Sequence, residues 1–433
     1  MNPRILGLGT SQPPTGLNQR QAVDMALGRC CTTDRHARLL PSLYRRTGVQ
    51  TRRAVALACD ITALPDALPD PDPDARLNGR HVPAPDPGAL PDPADPDAAP
   101  AATSTSTTTP TDEQAFRFYP LPADDGDRGP STAARMKRYA QLASPLAAEA
   151  ARCALADAAL PPTDITHLVT CSCTGFHAPG VDVALVKALN LPPSVGRTHV
   201  GFMGCHGAFN ALAVARHAAL ANPRARVLVV AVELCSLHFG YGFDPQQVVA
   251  NALFADGAAA LVLAGDDSPN PDPNPDPSPQ TRNADAPDHA RRTPRLVDAA
   301  SRLFQDCEDA MTWIIGDHGF RMTLEATVPA LIQQQLADWL VPWLAQHDLD
   351  LQHVGGWAIH PGGPRILDAV ADALQLHPHA ANHARAVLRD AGNMSSATIL
   401  FILQRMIQDP QTRRPIVALG FGPGLIGEAM LIQ

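Results

Sequence analysis

The 433-residue chain is 45% apolar, enough to bury a core in two ordinary domains or one large duplicated one. Its formal charge of −9 argues against a general nucleic-acid binder, and its nine cysteines lack the regular pairing of a secreted disulfide scaffold, so a reducing cytoplasm is expected. Met1-Asn2-Pro3-Arg4-Ile5 does not open a signal peptide, and no apolar run reaches the ~20 residues that span a bilayer, so no stable membrane insertion is expected.

Arg4 to Thr10 reads as a short strand, and Asn18 to Leu40 as a helix with Asn18 as its cap. The basic stretch Leu43 to Arg53 follows. It is either a solvated face or a phosphate clamp built from Arg45, Arg46, Arg52 and Arg53, since guanidinium groups bind phosphate oxygens bidentately. From about 60 to 115, and again over 268–293, Pro and Asp dominate; such composition cannot bury enough apolar surface to offset chain ordering, and both stretches read as disordered insertions.

Ser131 to Leu160 reads as a helix ended by Pro161-Pro162, and His167 to Cys173 as a buried strand. Cys171 and Cys173 alternate across that strand, which makes them poor partners for one metal ion, and no metal site is expected. A helix over Val181–Leu191 precedes Gly201-Phe202-Met203-Gly204-Cys205-His206-Gly207, which runs into an Ala-rich helix. Glycines here permit a sharp turn and leave Cys205 at a helix N-terminus, where the dipole favours thiolate. A small buried cysteine at a tight junction is the plainer alternative. Strands follow at Arg226–Glu233 and Ala258–Ala264.

Thr323 to Leu344 reads as a helix, Val354 to His360 as a strand ending in a Pro-Gly-Gly-Pro turn, and Arg365 to Leu376 as a helix. Gly392-Asn393-Met394-Ser395-Ser396 opens a helix over Ala397–Ile407, and strands at Pro415–Gly420 and Leu425–Gln433 close the chain. Gly204-Cys205 and Gly392-Asn393 each open a helix that precedes two apolar strands. Internal duplication is the economical explanation, and it would bring the two helix starts to one central site. One histidine of 16 carries little signal alone, but the loop after His360 would hold its imidazole rigidly, near enough for a thiolate–imidazolium pair. Asn393 reads first as an N-cap and otherwise as an oxyanion donor.

In Gly204-Cys205, Leu253-Phe254-Ala255-Asp256-Gly257-Ala258-Ala259-Ala260, Ile359-His360-Pro361-Gly362-Gly363-Pro364, Gly392 to Ala397 and Gly420-Phe421-Gly422-Pro423-Gly424-Leu425, taken in that order, the chain resembles the bacterial type III polyketide synthases of the chalcone/stilbene synthase family. The resemblance implies a thiolase-like α/β fold, a duplicated αβαβα arrangement in five layers, with one half over 1–265 carrying the cysteine and the other over 294–433 carrying the His and Asn. It also implies a homodimer that uses acyl-CoA and malonyl-CoA as substrates and binds no cofactor.

The family's catalytic residues fall on Cys205, His360 and Asn393, and its gatekeeping aromatics on Phe254 and Met322, the latter a departure that softens the pocket mouth. Substrate-binding positions fall on Cys173, Cys235, His238, Ser395, Gly422, Pro423 and Gly424. Arg45 to Arg53 lie where the family holds coenzyme A phosphates. The position that reaches into the partner's cavity falls on Ala178, a small residue that suggests more room. The implied activity loads an acyl starter on Cys205, decarboxylates malonyl-CoA and performs iterative condensations, closing to a resorcinol, phloroglucinol or pyrone. Long-chain acyl starters, giving alkylresorcinols or alkylpyrones, are the favoured expectation. A β-ketoacyl carrier-protein synthase III is the nearest rival, a 3-hydroxy-3-methylglutaryl-CoA synthase a weaker one, and an acidic scaffold the non-enzymatic alternative.

Overall fold

The computed structural model describes residues 2–57, 118–266 and 293–433. The Pro/Asp-rich stretches, apart from Thr293, lie outside the described residues.

The chain begins with β1 (Arg4–Ser11), β2 (Gly16–Asn18), α1 (Gln19–Cys30), α2 (Asp34–Arg46) and β3 (Thr51–Arg53). Asn18 caps α1 in a capping box with Gln21. The single helix expected over 18–40 is in fact two, because Thr33 takes the His36 N–H on its side chain and starts α2 afresh. Next come α3 (Thr132–Asp157), β4 (His167–Ser172), α4 (Val181–Ala188), β5 (Gly196–Gly201), α5 (Gly207–Ala221), β6 (Arg226–Leu234), α6 (Pro245–Leu253) and β7 (Asp256–Ala264). The alanines of α3 have a physical purpose. Ala147, Ala150, Ala151 and Ala154 are fully buried, and a Cβ on Gly7 or Gly9 of β1 would overlap the α3 backbone, so helix and strand meet without side chains between them.

The remainder comprises β8 (Leu296–Leu303), β9 (Met311–Gly316), β10 (Gly319–Leu324), α7 (Val328–Ala345), β11 (Gly356–Ile359), α8 (Pro364–Ala373), α9 (Asn382–Ala391), α10 (Thr398–Gln408), β12 (Ile416–Gly422) and β13 (Ile426–Ile432). The helix expected from Thr323 starts only at Val328. Residues 319–324 instead form the second arm of a hairpin closed by Asp317-His318, with Gly319 at φ 105°.

Two sheets share one plan. The first has the order β1-β7-β6-β4-β5 and the second β8-β13-β12-β11. In each, the first two pairings are antiparallel (β1–β7 and β7–β6; β8–β13 and β13–β12) and the next is parallel (β6–β4; β12–β11). The first sheet adds β5 at its edge. Helix α5 lies between them, against β4 and β6 on one side and β8 and β13 on the other, while α10 touches β11 on one side and β1 and β7 on the other. Helix α3 covers the outer face of the first sheet, and Trp339 of α7 packs on Gly427 of the second. This is the duplicated, thiolase-like arrangement, and it sets the starts of α5 and α10 side by side in the central layer.

Candidate active site

Cys205 lies in a single 3₁₀ turn, Gly204–His206, that leads straight into α5. Gly204 has φ 77°, and a Cβ there would overlap the Pro423 ring, so the turn can approach the β12–β13 loop only with glycine at that position. His360 follows β11; its N–H donates to Leu419 O at 2.8 Å, which registers it against β12. Asn393 is pinned by its backbone to the opposite half: its N–H donates to Leu253 O at 3.0 Å and its carbonyl accepts from Ala255 N at 2.9 Å. Phe254 therefore stands beside Asn393.

A small cavity of about 380 Å³ is lined by Cys205, His360 and Asn393, together with Phe254, Met311, Met322, Leu324 and others. Three widely separated segments thus meet, as the sequence suggested. A larger pocket, about 970 Å³ of space including its open mouth, shares Cys205, Phe254, Met311 and Met322 with it, so the thiol and the two expected gatekeepers stand where the two join. Cys173, Cys235, His238, Ser395 and Pro423 line the larger space, which runs on to Leu17, Ala22 and Met25 around α1 and to Tyr44 of α2.

The polar groups divide into satisfied and unsatisfied sets. Glu233, fully buried on β6, accepts from Thr174 Oγ1 (2.7 Å), Cys173 N (3.0 Å), Cys173 Sγ (3.3 Å), Ser172 Oγ (3.4 Å) and Ser396 Oγ. Cys173 Sγ also lies 3.1 Å from Ser395 Oγ, and Ser395 donates to Cys205 Sγ at 3.7 Å, so a run of polar contacts leads from the carboxylate to the thiol. His238 spends both ring nitrogens on backbone, Nε2 on Thr174 O at 2.6 Å and Nδ1 on Phe320 N–H at 3.0 Å, which holds it as a neutral wall. Asn393 Oδ1 accepts from Ser395 N at 2.8 Å, but its Nδ2 and both ring nitrogens of His360 have no hydrogen-bond partner among the described residues. Leaving buried donors and acceptors unpaired costs about 1–3 kcal/mol each.

Burial pushes the Cys205 thiol up to about 11; the Ser395 hydroxyl hydrogen bond and the nearby Asn393 amide oppose the rise, and the Glu233 carboxylate adds to it. A helix terminus contributes about 0.3–1 kcal/mol at an exposed site and up to about 2 kcal/mol at a partly buried one, less than the roughly 2.7 kcal/mol that two pKa units represent, so the helix end alone does not make the thiolate. This corrects the expectation from sequence. Burial likewise pushes the His360 imidazole down to about 3, with His206 adding to the fall. Each charge is penalised singly, whereas a thiolate beside an imidazolium carries no net charge and regains part of both penalties.

Several expected site residues serve otherwise. Gly422 is buried with the His206 ring against its Cα, and Gly424, at φ 79°, makes the β12–β13 turn; of that motif only Pro423 faces the large cavity. Arg45, Arg46 and Arg53 are exposed, but Arg52 is turned inward. It stacks on Tyr44 and donates to Gln19 Oε1 and, at 2.7 Å, to Asn251 O, so its guanidinium is not part of a surface clamp. Ala178 lines a separate surface pocket with Phe176, His177 and His199.

Met311, Trp313 and Glu233 are site residues beyond those expected from the sequence motifs. Trp313 donates Nε1–H to Cys173 O at 2.8 Å and walls the large cavity. Glu233 had a signal, being the single charge in an otherwise apolar strand core, Val227–Leu234.

A duplicated fold with a thiol at the central helix start defines a thiolase-like condensing enzyme. Residues 124–267 match the chalcone and stilbene synthases, N-terminal domain, and residues 295–433 the C-terminal domain of the same family. Over 302 residues, 69% of this chain, it is 33% identical to the alpha-pyrone synthesis polyketide synthase-like Pks18 of Mycobacterium tuberculosis, covering 72% of that protein. It is 33% identical over 312 residues to 1,3,6,8-tetrahydroxynaphthalene synthase of Streptomyces peucetius subsp. caesius, covering 71% of this chain and 76% of the relative. The crystal structure of PKS-I from the brown alga Ectocarpus siliculosus superposes with a TM-score of 0.74 at 27% identity, covering 100% of this chain and 98% of that one. The chain belongs to the chalcone and stilbene synthase family, the type III polyketide synthases, and is a decarboxylating, condensing acyltransferase.

Proposed function

We propose that Cys205 carries the growing chain, that His360 and Asn393 bind the reacting carbonyl, and that the preferred starter is a long-chain acyl-CoA. One observation carries the assignment of roles: among the described residues lining a single small cavity, His360 Nδ1 and Nε2 and Asn393 Nδ2 lack hydrogen-bond partners, beside the Cys205 thiol. Unpaired donors around a nucleophile are what a developing oxyanion requires.

In this reading the Cys205 S–H proton passes to His360 as sulfur attacks the starter thioester, and coenzyme A leaves as its thiol. Asn393 Nδ2–H and His360 N–H then donate to the thioester carbonyl of malonyl-CoA. Loss of CO₂ leaves an enolate at that oxygen, stabilised by the same two donors. The Phe254 ring offers the malonyl carboxylate no compensation for desolvation, which favours its departure. The enolate carbon attacks the Cys205 thioester, expelling the thiolate, and the chain grows by two carbons.

The long-chain preference is supported by the reach of the large cavity past Ala54, Ala56 and Ala250 to Ala22 and Met25, an apolar route with small side chains along it. Its product would be an alkylresorcinol or an alkylpyrone; Pks18 is itself named for alpha-pyrone synthesis. Coenzyme A would meet Arg45, Arg46 and Arg53 from solvent. A second copy would cover the outer edge of β5, which is largely exposed and flanked by Phe176, Phe202 and Met203, each more than a third exposed.

The test is product analysis with malonyl-CoA and acyl-CoA starters of graded length, without carrier protein. The wild-type chain converts long starters, and Cys205→Ala lowers polyketide formation by about three orders of magnitude or more. Polyketide formation surviving in Cys205→Ala would end the proposal.

A further inference from the structure

The steps above leave one buried cation unused. Arg52 is 5% exposed, lines the same large pocket as Cys205, and has no carboxylate partner among the described residues. Its neighbours hold it without neutralising it. Nη1 donates to the Asn251 carbonyl at 2.7 Å, a group that the last turn of α6 leaves free, and Nη2 donates to Gln19 Oε1. Gln19 is held in that orientation because its Nε2 donates to Tyr44 O at 2.6 Å. The guanidinium carbon lies 5.7 Å from the centre of the Tyr44 ring. All of these partners are neutral, and Nε has no hydrogen-bond partner among the described residues. Capping the end of α6 accounts for the Nη1 bond alone. It requires neither the place on the pocket wall nor the spare Nε–H. A buried charge without a counter-charge is costly, and one that borders a ligand-sized space points to function.

We propose that Arg52 determines starter specificity by binding a carboxylate at the far end of the acyl chain, so that the preferred long-chain starter is an ω-carboxyacyl-CoA. The inference rests on the reading above that Cys205 carries a long acyl chain in the large pocket. Two guanidinium N–H groups are spent on the Asn251 and Gln19 oxygens; the others, Nε–H among them, remain to donate. Their planar fork matches the two oxygens of a carboxylate. Each charge then offsets the other where water is scarce, and the desolvation of both is partly recovered. A methyl end brings no such return and leaves the cation buried and unpaired. The rest of the wall, including Ala22, Met25, Ala54 and Ala250, suits the methylene chain that joins the two ends. Burial lowers the guanidinium pKa only to about 10, so the group is still a cation at neutral pH.

The test measures kcat/KM with malonyl-CoA and matched pairs of starters, methyl-ended and ω-carboxylated, over a graded series of chain lengths. It uses the full-length wild-type chain, Arg52→Met and Arg52→Lys, with Tm as control. In wild type, at the best length, the ω-carboxy starter is expected to exceed its methyl-ended twin by about tenfold or more. Arg52→Met keeps the packing of the stem and removes the charge. It is expected to lower kcat/KM for the ω-carboxy starter about a hundredfold while the methyl-ended starter stays level or improves. Arg52→Lys keeps a cation without the fork and retains a weaker preference. A purely structural role predicts a lower Tm and equal losses for both members of each pair, and would overturn the inference. So would a wild-type preference for the methyl-ended member at every length, a result that needs no variant. If long methyl-ended starters are converted and their ω-carboxy twins are not, the Arg52 inference alone fails; if neither long starter is converted while short ones are, the long-chain reading fails with it.

Discussion

The two halves of the molecule share four strands in the same order and with the same pairing senses, yet they equip equivalent positions in opposite ways. Where β4 ends, the first half places Cys173 and Thr174, both tied to Glu233; where β11 ends, the second half places His360 with two unpartnered nitrogens. At the start of α5 the first half offers a thiol, and before α10 the second offers a carboxamide with a free Nδ2. A buried carboxylate with five donors is framework, because nothing is left to bind a ligand. Unpaired imidazole and amide groups are instead poised, their cost recovered when a carbonyl arrives.

That division can be broken most severely at the poised side. Asn393→Ala is expected to reduce malonyl-CoA decarboxylation by about 10²–10³-fold while alkylation of Cys205 persists, and His360→Ala to reduce both. Steady-state decarboxylation assays with Tm as control would contradict the division if Asn393→Ala lowered Tm and spared the rate.

A smaller effect sharpens the role of the long cavity. Ala22→Phe, at its α1 end, is expected to lower kcat/KM for long acyl-CoA starters by about tenfold and to leave short starters unchanged, since the ring occupies the volume that an acyl tail would fill. Equal losses for all chain lengths would show that tails do not reach α1.

The mildest catalytic effect is expected on the framework side. Glu233→Gln turns one acceptor into a donor among five donors, costing about 1–3 kcal/mol and a few degrees of Tm. It also removes the negative charge that raises the Cys205 thiol, so alkylation is expected to move to lower pH. A Tm equal to wild type in thermal unfolding would mean that the carboxylate network does not hold the site.

The same contrast explains what could be read from the chain beforehand. Cys205, His360 and Asn393 were legible because each ends or begins an apolar element in a Gly-rich loop, a local signal. The β9–β10 hairpin was not, since Phe320-Arg321-Met322-Thr323-Leu324 merges into a helix-forming run and its Asp317-His318 turn is short. Arg52 looked like its exposed neighbours, but the alternation of β3 turns it inward onto Tyr44, and only tertiary packing decides that such a cation stays inside. Glu233 gains its meaning only when Ser396, more than 150 residues away, folds against it.

The central claim is that two distant groups share one proton at the reacting centre. Iodoacetamide labelling of Cys205 followed across pH 5 to 11, in the wild-type chain and in His360→Ala, tests it most directly. With His360 present, labelling should reach its plateau well below the ordinary thiol value near 8.5, and without it the profile should move up toward about 11, where burial, only partly opposed by Ser395 and Asn393, places the thiol. Superimposable profiles that climb together through pH 9 would contradict the account.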